Sequence, residues 1–188
     1  MEGKVCVTGG AGYIGSALVH SLLQNGYIVH ATLRNLGDES KVGLLKSFPG
    51  AEERLHLFEA NIYKPQEFEK AIQGCAFVFH VATPMFHTTG YKYNDVVEAA
   101  ISAAKTIADA CIRSGTVKRL IYTSSVVAAS PLKYDGSGYK ITLDESCWTP
   151  LHINVPFTND FLQVLGRTRK RNQMGIQETR RQRFFLQI

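Results

Sequence analysis

The chain has 188 residues, of which 45% are hydrophobic and 20% are charged, and its formal net charge is +5 at pH 7. This length predicts one globular domain with a substantial core and argues against two full-sized domains. It contains no run of about 18 apolar residues and opens without a charged leader, so we expect a soluble, cytoplasmic protein with no membrane partner.

Short apolar runs alternate with longer amphipathic segments along the first 125 residues. This alternation is typical of βαβ units and predicts an α/β fold, a Rossmann-type doubly wound parallel sheet that is truncated after about the fifth strand. The predicted strands are Lys4–Thr8, Ile28–Leu33, Leu55–Glu59, Ala76–Val81 and Arg119–Thr123. The predicted helices are Tyr13–Gln24, Ser40–Ser47, Gln66–Gln73 and Asn94–Arg113.

The pattern changes twice after Ser125. A loop-rich stretch comes first, and the last segment, residues 164–188, carries seven cations against Glu178 alone. That segment contributes +6 to the net charge, which leaves residues 1–163 with 14 cations against 15 anions, or −1. We therefore predict one incomplete domain over 1–163 and a basic, disordered tail over 164–188.

The four cysteines are far apart in the sequence, with no spacing typical of a metal site or of a disulfide framework. We therefore predict no metal site and expect reduced, mostly buried thiols at Cys6, Cys75, Cys111 and Cys147.

Three glycines recur at three-residue intervals between the first predicted strand and the first predicted helix, at Gly9, Gly12 and Gly15. Glycine lets a backbone approach a pyrophosphate, whose charge is met by N–H groups at a helix N-terminus. The strand before the turn and the helix after it favour a dinucleotide-binding turn. The alternative is a glycine-rich turn with a structural role only.

The second predicted strand is followed by Arg34, at a place where an NAD-specific fold has an acidic residue for the ribose 2′-hydroxyl. An arginine there favours a 2′-phosphate, and Lys41 on the next helix adds a second cation. We therefore expect NADP(H) rather than NAD(H). The alternative is a pair of solvated surface cations.

Several segments together resemble the plant dihydroflavonol 4-reductase-like branch of the extended short-chain dehydrogenase/reductase family, which includes anthocyanidin, vestitone and cinnamoyl-CoA reductases. The resemblance covers roughly residues 3–163. The segments that carry it are the turn Thr8–Ser16, Arg34, the run Phe79–Pro84, the run Val117–Ser125 and the segment Leu143–Trp148.

The resemblance implies a role for each matching position. Ser125 would be the catalytic serine that bonds the substrate carbonyl, with Ser124 beside the nicotinamide; the alternative is an ordinary polar exit from a strand. Asn61 and Ile62 would lie beside the adenine, where the family has Asp followed by Leu. The remaining cofactor contacts would be Gly9, Gly12, Tyr13, Ile14, Gly15, Arg34, Lys41, Val81, Ala82 and Thr83. His80, His87 and His152 have no partner pattern and are expected to be structural or exposed.

The family also uses a tyrosine with a lysine four residues later, because the lysine charge lowers the tyrosine pKa so that the phenol donates a proton to the carbonyl oxygen. None of the eight tyrosines has a lysine at that spacing. The family pattern ends after Gln163, and we expect an altered reading frame or an alternative exon to be the cause.

These observations leave several functions open. The first is an NADPH-dependent reductase of a small flavonoid-type or phenylpropanoid-type carbonyl substrate, impaired because the tyrosine and lysine are absent. The second is a non-catalytic NADP-binding or dimer-interfering fragment. Nucleic-acid binding through the tail is disfavoured, epimerases and dehydratases of the same fold are a minor alternative, and the oligomeric state is left open.

Overall fold

The computed structural model describes residues 3–83, 93–123, 132–142, 144 and 147. The chain divides into two compact units, and the boundary between them follows Thr123. The predicted division into a domain over 1–163 and a tail over 164–188 involves residues outside those described and stays a prediction.

The first unit contains one parallel sheet of five strands in the order β3-β2-β1-β4-β5. The strands are β1 Lys4–Thr8, β2 Ile28–Leu33, β3 Leu55–Glu59, β4 Phe77–His80 and β5 Arg119–Tyr122. The helices are α1 Tyr13–Gln24, α2 Glu39–Lys46, α3 Ala51–Arg54, α4 Glu69–Ile72 and α5 Tyr93–Ser114. The order reverses direction between β1 and β4, which confirms the predicted doubly wound α/β fold.

Each face of the sheet packs against helices because successive side chains of a strand point to opposite faces. On β1, Val5 and Val7 join a buried cluster with Val19 and Leu23 of α1. Cys6, between them, joins a second cluster on the other face, which also contains residues from α4, α5, β4 and β5. The two helical layers therefore hold β1 at the centre of the sheet.

Most predicted boundaries agree with the structure to within one residue, and two regions differ. The predicted helix Gln66–Gln73 is a 3-10 turn, Pro65–Phe68, followed by the short α4. Proline begins this turn because its missing N–H is not needed there. The helix α3 was not predicted, and it follows Gly50, whose φ of 79° only glycine adopts easily.

In the second unit, the described residues form a small turn closed by an antiparallel bridge between Leu132 and Tyr139. Lys133 N–H donates to the Gly138 carbonyl at 2.9 Å, and Ser137 N–H donates to Asp135 Oδ1 at 2.9 Å. This turn agrees with the loop-rich character predicted for the stretch after Ser125.

All four cysteines are free thiols with buried side chains, as predicted. Burial raises the pKa of Cys75 and of Cys111 to about 12, so both stay protonated at neutral pH. Within the described ranges, no cluster of ligating side chains is arranged to hold a metal ion.

The described part of the chain has no helix that is both long and apolar enough to cross a membrane. The expected cytoplasmic location stays a prediction.

Candidate functional site

The glycine-rich turn lies between the carboxyl end of β1 and the first residue of α1. Gly10 N–H donates to the Thr32 carbonyl at 2.9 Å, and Gly9 N–H donates to Thr32 Oγ1 at 3.1 Å. Both bonds tie the turn to the end of β2. The turn is therefore fixed against two strands before any ligand binds.

Two glycines of this turn are required by close packing. A Cβ at Gly15 would overlap the carbonyl oxygen of Gly9, and a Cβ at Gly10 would lie 2.8 Å from the Ala31 Cβ. Gly9 has a φ of 68°, which glycine adopts without steric cost. These positions bring α1 close to the sheet.

Gly12 is different, because its backbone angles do not require glycine and a Cβ there would be crowded on one side only. It precedes α1 with φ −75° and ψ 170°, an extended conformation open to any residue. Among the described residues, a Cβ there would meet only the Gly9 carbonyl oxygen, at 3.2 Å. The free space adjoins the N–H groups of the first helical turn, which have no partner inside the helix. A phosphate fits such a place.

Tyr13 and Ile14 form the start of α1, and both side chains are exposed, at 96% and 56%. Their backbone N–H groups belong to the same first turn. The predicted contacts at Gly9, Gly12, Tyr13, Ile14 and Gly15 are thus brought together in one short segment.

Arg34 follows β2 directly and is exposed. Lys41 lies on α2, and its Nζ is 2.6 Å from Asp38 Oδ2. Asp38 also caps α2, because its Oδ1 accepts the Lys41 N–H at 3.2 Å. These hydrogen bonds to Lys41 lower the pKa of Asp38, which is therefore ionised at neutral pH. The predicted cation Lys41 is already engaged by a carboxylate.

Asn61 and Ile62 follow β3 at the same edge of the sheet. Asn61 Oδ1 accepts the Tyr63 N–H at 3.1 Å, and Asn61 N–H donates to Glu67 Oε2 at 2.9 Å. The Ile62 side chain is buried. In this structure the asparagine side chain stabilises a turn of its own chain.

Val81, Ala82 and Thr83 leave the sheet at the end of β4. Thr8 Oγ1 accepts N–H groups from Val81 and from Ala82, each at 3.0 Å. A Cβ on Gly9 would lie 3.1 Å from the Ala82 Cα, so the turn and this exit approach each other closely. Thr83 is exposed.

A buried histidine completes this arrangement. His80 Nδ1 lies 2.9 Å from Thr8 Oγ1. Because two N–H groups already occupy the acceptor positions of that hydroxyl, its hydrogen donates to Nδ1, and the proton of neutral His80 is on Nε2. Burial lowers the pKa of His80 to about 4, and its ring lies 5.2 Å from that of Tyr122.

The predicted serines Ser124 and Ser125 lie outside the described residues, as do His87 and His152. The described chain reaches Thr123, whose N–H donates to the His80 carbonyl at 3.0 Å. The strand β5 therefore brings the chain to the carboxyl edge of the sheet beside β4.

Sequence reasoning missed three polar residues of this edge. Thr32 was treated only as part of a strand, although it holds the turn. Thr8 was assigned to a strand and to the family's turn, but its bonds to the β4 exit were not predicted, and His80 was given no partner. The strand order could have predicted these contacts. Because β1 lies between β2 and β4, polar residues at the carboxyl end of β1 must lie beside those at the ends of β2 and β4.

The sequence profile described as the NAD dependent epimerase/dehydratase family matches residues 5–147. Vestitone reductase of Medicago sativa is 40% identical over 153 residues, which are 81% of this chain and 46% of that protein. Dihydroflavonol 4-reductase of Callistephus chinensis is 44% identical over 147 residues, 78% of this chain and 39% of that protein.

The crystal structure of vestitone reductase from alfalfa (Medicago sativa) superposes with a TM-score of 0.75 at 39% identity. The match covers 94% of this chain and 53% of that structure. The chain therefore spans about half the length of the relatives that it matches, or less.

Proposed function

Because the chain belongs to the NAD dependent epimerase/dehydratase family, we propose that it binds NADP(H) at the carboxyl edge of its sheet. The observation that carries this proposal is the open space at Gly12, beside the unpaired N–H groups of α1 and within a turn held by Thr32. The pyrophosphate would lie there, with its charge met by the first turn of the helix.

The choice of NADP(H) over NAD(H) rests on Arg34. The guanidinium of Arg34, exposed directly after β2, would bond a 2′-phosphate through two parallel N–H donors. Lys41 would add a second cation. Asn61, Ile62 and the segment Val81–Thr83 would surround the adenine and the remaining length of the cofactor.

We propose further that the inherited reaction is reduction of a flavonoid-type or phenylpropanoid-type ketone, because vestitone reductase and dihydroflavonol 4-reductase are among the proteins that the chain resembles. Bound NADPH would supply the hydride for the carbonyl carbon. Ser125 would bond the carbonyl oxygen and orient it, and Ser124 would adjoin the nicotinamide. Neutral His80 and Thr8 would hold the β4 exit, and the nicotinamide half of the cofactor would contact that exit.

Reduction also needs a proton for the carbonyl oxygen. No tyrosine of this sequence is followed four residues later by lysine. General acids contribute about 10²- to 10⁴-fold to such rates, so we propose that reduction by this chain is impaired by about that factor.

The second candidate function is non-catalytic NADP binding, including interference with dimers of a full-length reductase. The missing tyrosine and lysine pair favours it. The two candidates separate in one assay, in which NADPH oxidation is followed with vestitone or a dihydroflavonol as the ketone. Turnover above the uncatalysed rate supports an impaired enzyme, whereas tight NADPH binding without turnover supports the non-catalytic function.

Replacement of Arg34 by glutamine tests the cofactor assignment. We expect the Kd for NADPH to rise about 30-fold, because a charge-assisted bidentate contact is lost, while the Kd for NADH changes by less than about twofold. Titration of the purified chain, followed by nicotinamide fluorescence, measures both constants.

The matched control for this variant is Lys46→Gln, which removes a cation from the far end of α2. This control should leave both constants unchanged. If Arg34→Gln weakened NADPH and NADH equally, the assignment to a 2′-phosphate would be wrong.

Replacement of Gly12 by alanine should weaken both cofactors equally, by about 10-fold, because a methyl group would occupy the space for the pyrophosphate. Its effect on folding should be smaller than that of a substitution at Gly15, because the backbone angles at Gly12 suit alanine and the new Cβ would lie 3.2 Å from the Gly9 carbonyl oxygen without overlapping it. Titration and a thermal melt of the same sample measure the two effects. An unchanged Kd would show that the diphosphate lies elsewhere.

A further inference from the structure

The segment that links β2 to α2 begins with the predicted cation Arg34 and ends with the carboxylate of Asp38, three residues before the predicted cation Lys41 on α2. Asp38 makes two contacts with one residue: Oδ1 accepts the Lys41 N–H at 3.2 Å, and Oδ2 lies 2.6 Å from Lys41 Nζ. The first contact caps the helix, and the second fixes the ammonium group. A single carboxylate therefore orders both the backbone and the side chain of Lys41.

A second carboxylate supports the same segment from β3. Glu59 Oε2 accepts the Leu36 N–H at 3.1 Å, while Asn35 Oδ1 accepts the Gly37 N–H at 2.7 Å. Asn35, Leu36 and Gly37 are thus held by hydrogen bonds before any ligand arrives. Two negative charges, on Asp38 and Glu59, lie in the region assigned to the 2′-phosphate.

A 2′-phosphate is close to a dianion at neutral pH. A nearby cation strengthens its binding only to the extent that the cation is not already paired with another anion. An ammonium group has three donors, and Asp38 occupies one of them at short range. The carboxylate also repels the incoming phosphate. Both effects weaken the binding of NADPH. Neither changes the binding of NADH, which has a neutral 2′-hydroxyl in place of the phosphate.

We propose that Asp38 is a positioning residue that determines cofactor specificity, because it withholds Lys41 from the 2′-phosphate and so lowers the preference of the site for NADPH over NADH. The inference rests on the proposed binding of NADP(H). Arg34 then provides most of the recognition of the 2′-phosphate, and Lys41 becomes a strong contact only when Asp38 loses its charge.

The test uses Asp38→Asn in the full chain. Asparagine keeps an oxygen for the Lys41 N–H and so keeps the helix cap, but it removes the negative charge. We expect the Kd for NADPH to fall about 3- to 5-fold, the upper part of the range for an exposed charge pair, and the Kd for NADH to stay within about 1.5-fold. Adenosine 2′,5′-bisphosphate and 5′-AMP, titrated by calorimetry, should show the same contrast without the nicotinamide.

Two further variants show whether the effect passes through Lys41. In the double variant Asp38→Asn/Lys41→Gln, the gain for NADPH should disappear relative to Lys41→Gln alone. Glu59→Gln removes the second carboxylate and keeps the acceptor for Leu36; its effect on NADPH should be the same whether or not Lys41 is present. Asp38→Ser, which also caps helices, replaces Asp38→Asn if a thermal melt shows that the latter unfolds.

Three results would overturn the inference. Weaker NADPH binding in Asp38→Asn would mean that Asp38 prepares Lys41 for the phosphate. An equal gain for NADPH and NADH, or a gain that persists without Lys41, would mean that the charge acts elsewhere. In all three cases the wild-type chain still binds NADPH, whereas absence of NADPH binding in the wild type would overturn the proposed function as well.

Discussion

Replacement of Gly15 by alanine is expected to destabilise the fold by about 3 kcal/mol and to abolish measurable cofactor binding. The new Cβ would overlap the carbonyl oxygen of Gly9, which is backbone and has no rotamer to change. The start of α1 must then move away from the turn, and the turn is bonded to β2 through Thr32. This movement therefore disturbs both the packing of α1 on the sheet and the positions of the backbone N–H groups proposed to bind the cofactor.

Denaturant unfolding and cofactor titration measure the two losses. The matched control is Gly43→Ala on α2, where no described atom lies within 4 Å of the new Cβ. Alanine is the better helix former, so that control should gain up to about 1 kcal/mol. A Gly15→Ala protein with wild-type stability and binding would disprove the close approach of α1 to the turn.

Acid is expected to remove about 3 kcal/mol of stability through His80 alone, between about pH 6.5 and pH 4. Burial lowers the pKa of His80 from 6.5 to about 4 in the folded state, because a charge on a side chain that is 2% exposed is poorly solvated. The unfolded chain binds this proton more tightly. The stabilising effect of neutral His80 is therefore complete above about pH 6.5 and decreases as the pH falls to the folded pKa.

Unfolding free energies at several pH values, for the wild type and for His80→Asn, measure this contribution. Asparagine cannot be protonated, so the difference between the two proteins should shrink as the pH falls from 7 to 4. Burial also lowers the pKa of His30, which adds loss of the same sign to both proteins. Parallel profiles for His80→Asn and the wild type would show that His80 is not the titrating group.

Much of the fold was predictable because the buried parallel strands are short apolar runs that end at turns. Lys4–Thr8 and Ile28–Leu33 have the predicted bounds. The structure differs from the prediction where local packing determines whether a segment forms an α-helix or a 3-10 turn. The segment 65–72 divides into a 3-10 turn and a single α-turn, and hydropathy does not distinguish those from one continuous helix.

The glycine turn was equally predictable, since its glycines mark close approach of the backbone. The partners of that turn were not, because they depend on contacts between distant segments. Thr8 and His80 are 72 residues apart and meet only when β1 pairs with β4. The ion pair of Lys41 with Asp38 is local, but the sequence alone does not show whether the Lys41 side chain binds Asp38 or remains free for a ligand. The assignments of Ser124 and Ser125 concern residues beyond those described and stay predictions.

The reactivity of the buried thiols can be used to measure transient opening of the helical layer that covers them. Cys6, Cys75 and Cys111 belong to one cluster between the sheet and the helices α4 and α5, and burial raises the pKa of each. An alkylating reagent reacts with the thiolate and needs access, so at neutral pH its rate at these positions measures how often that layer separates from the sheet. The second cluster, on the other face, contains no cysteine. Labelling at these three positions therefore reports opening of this one helical layer and gives no signal when only the other layer opens.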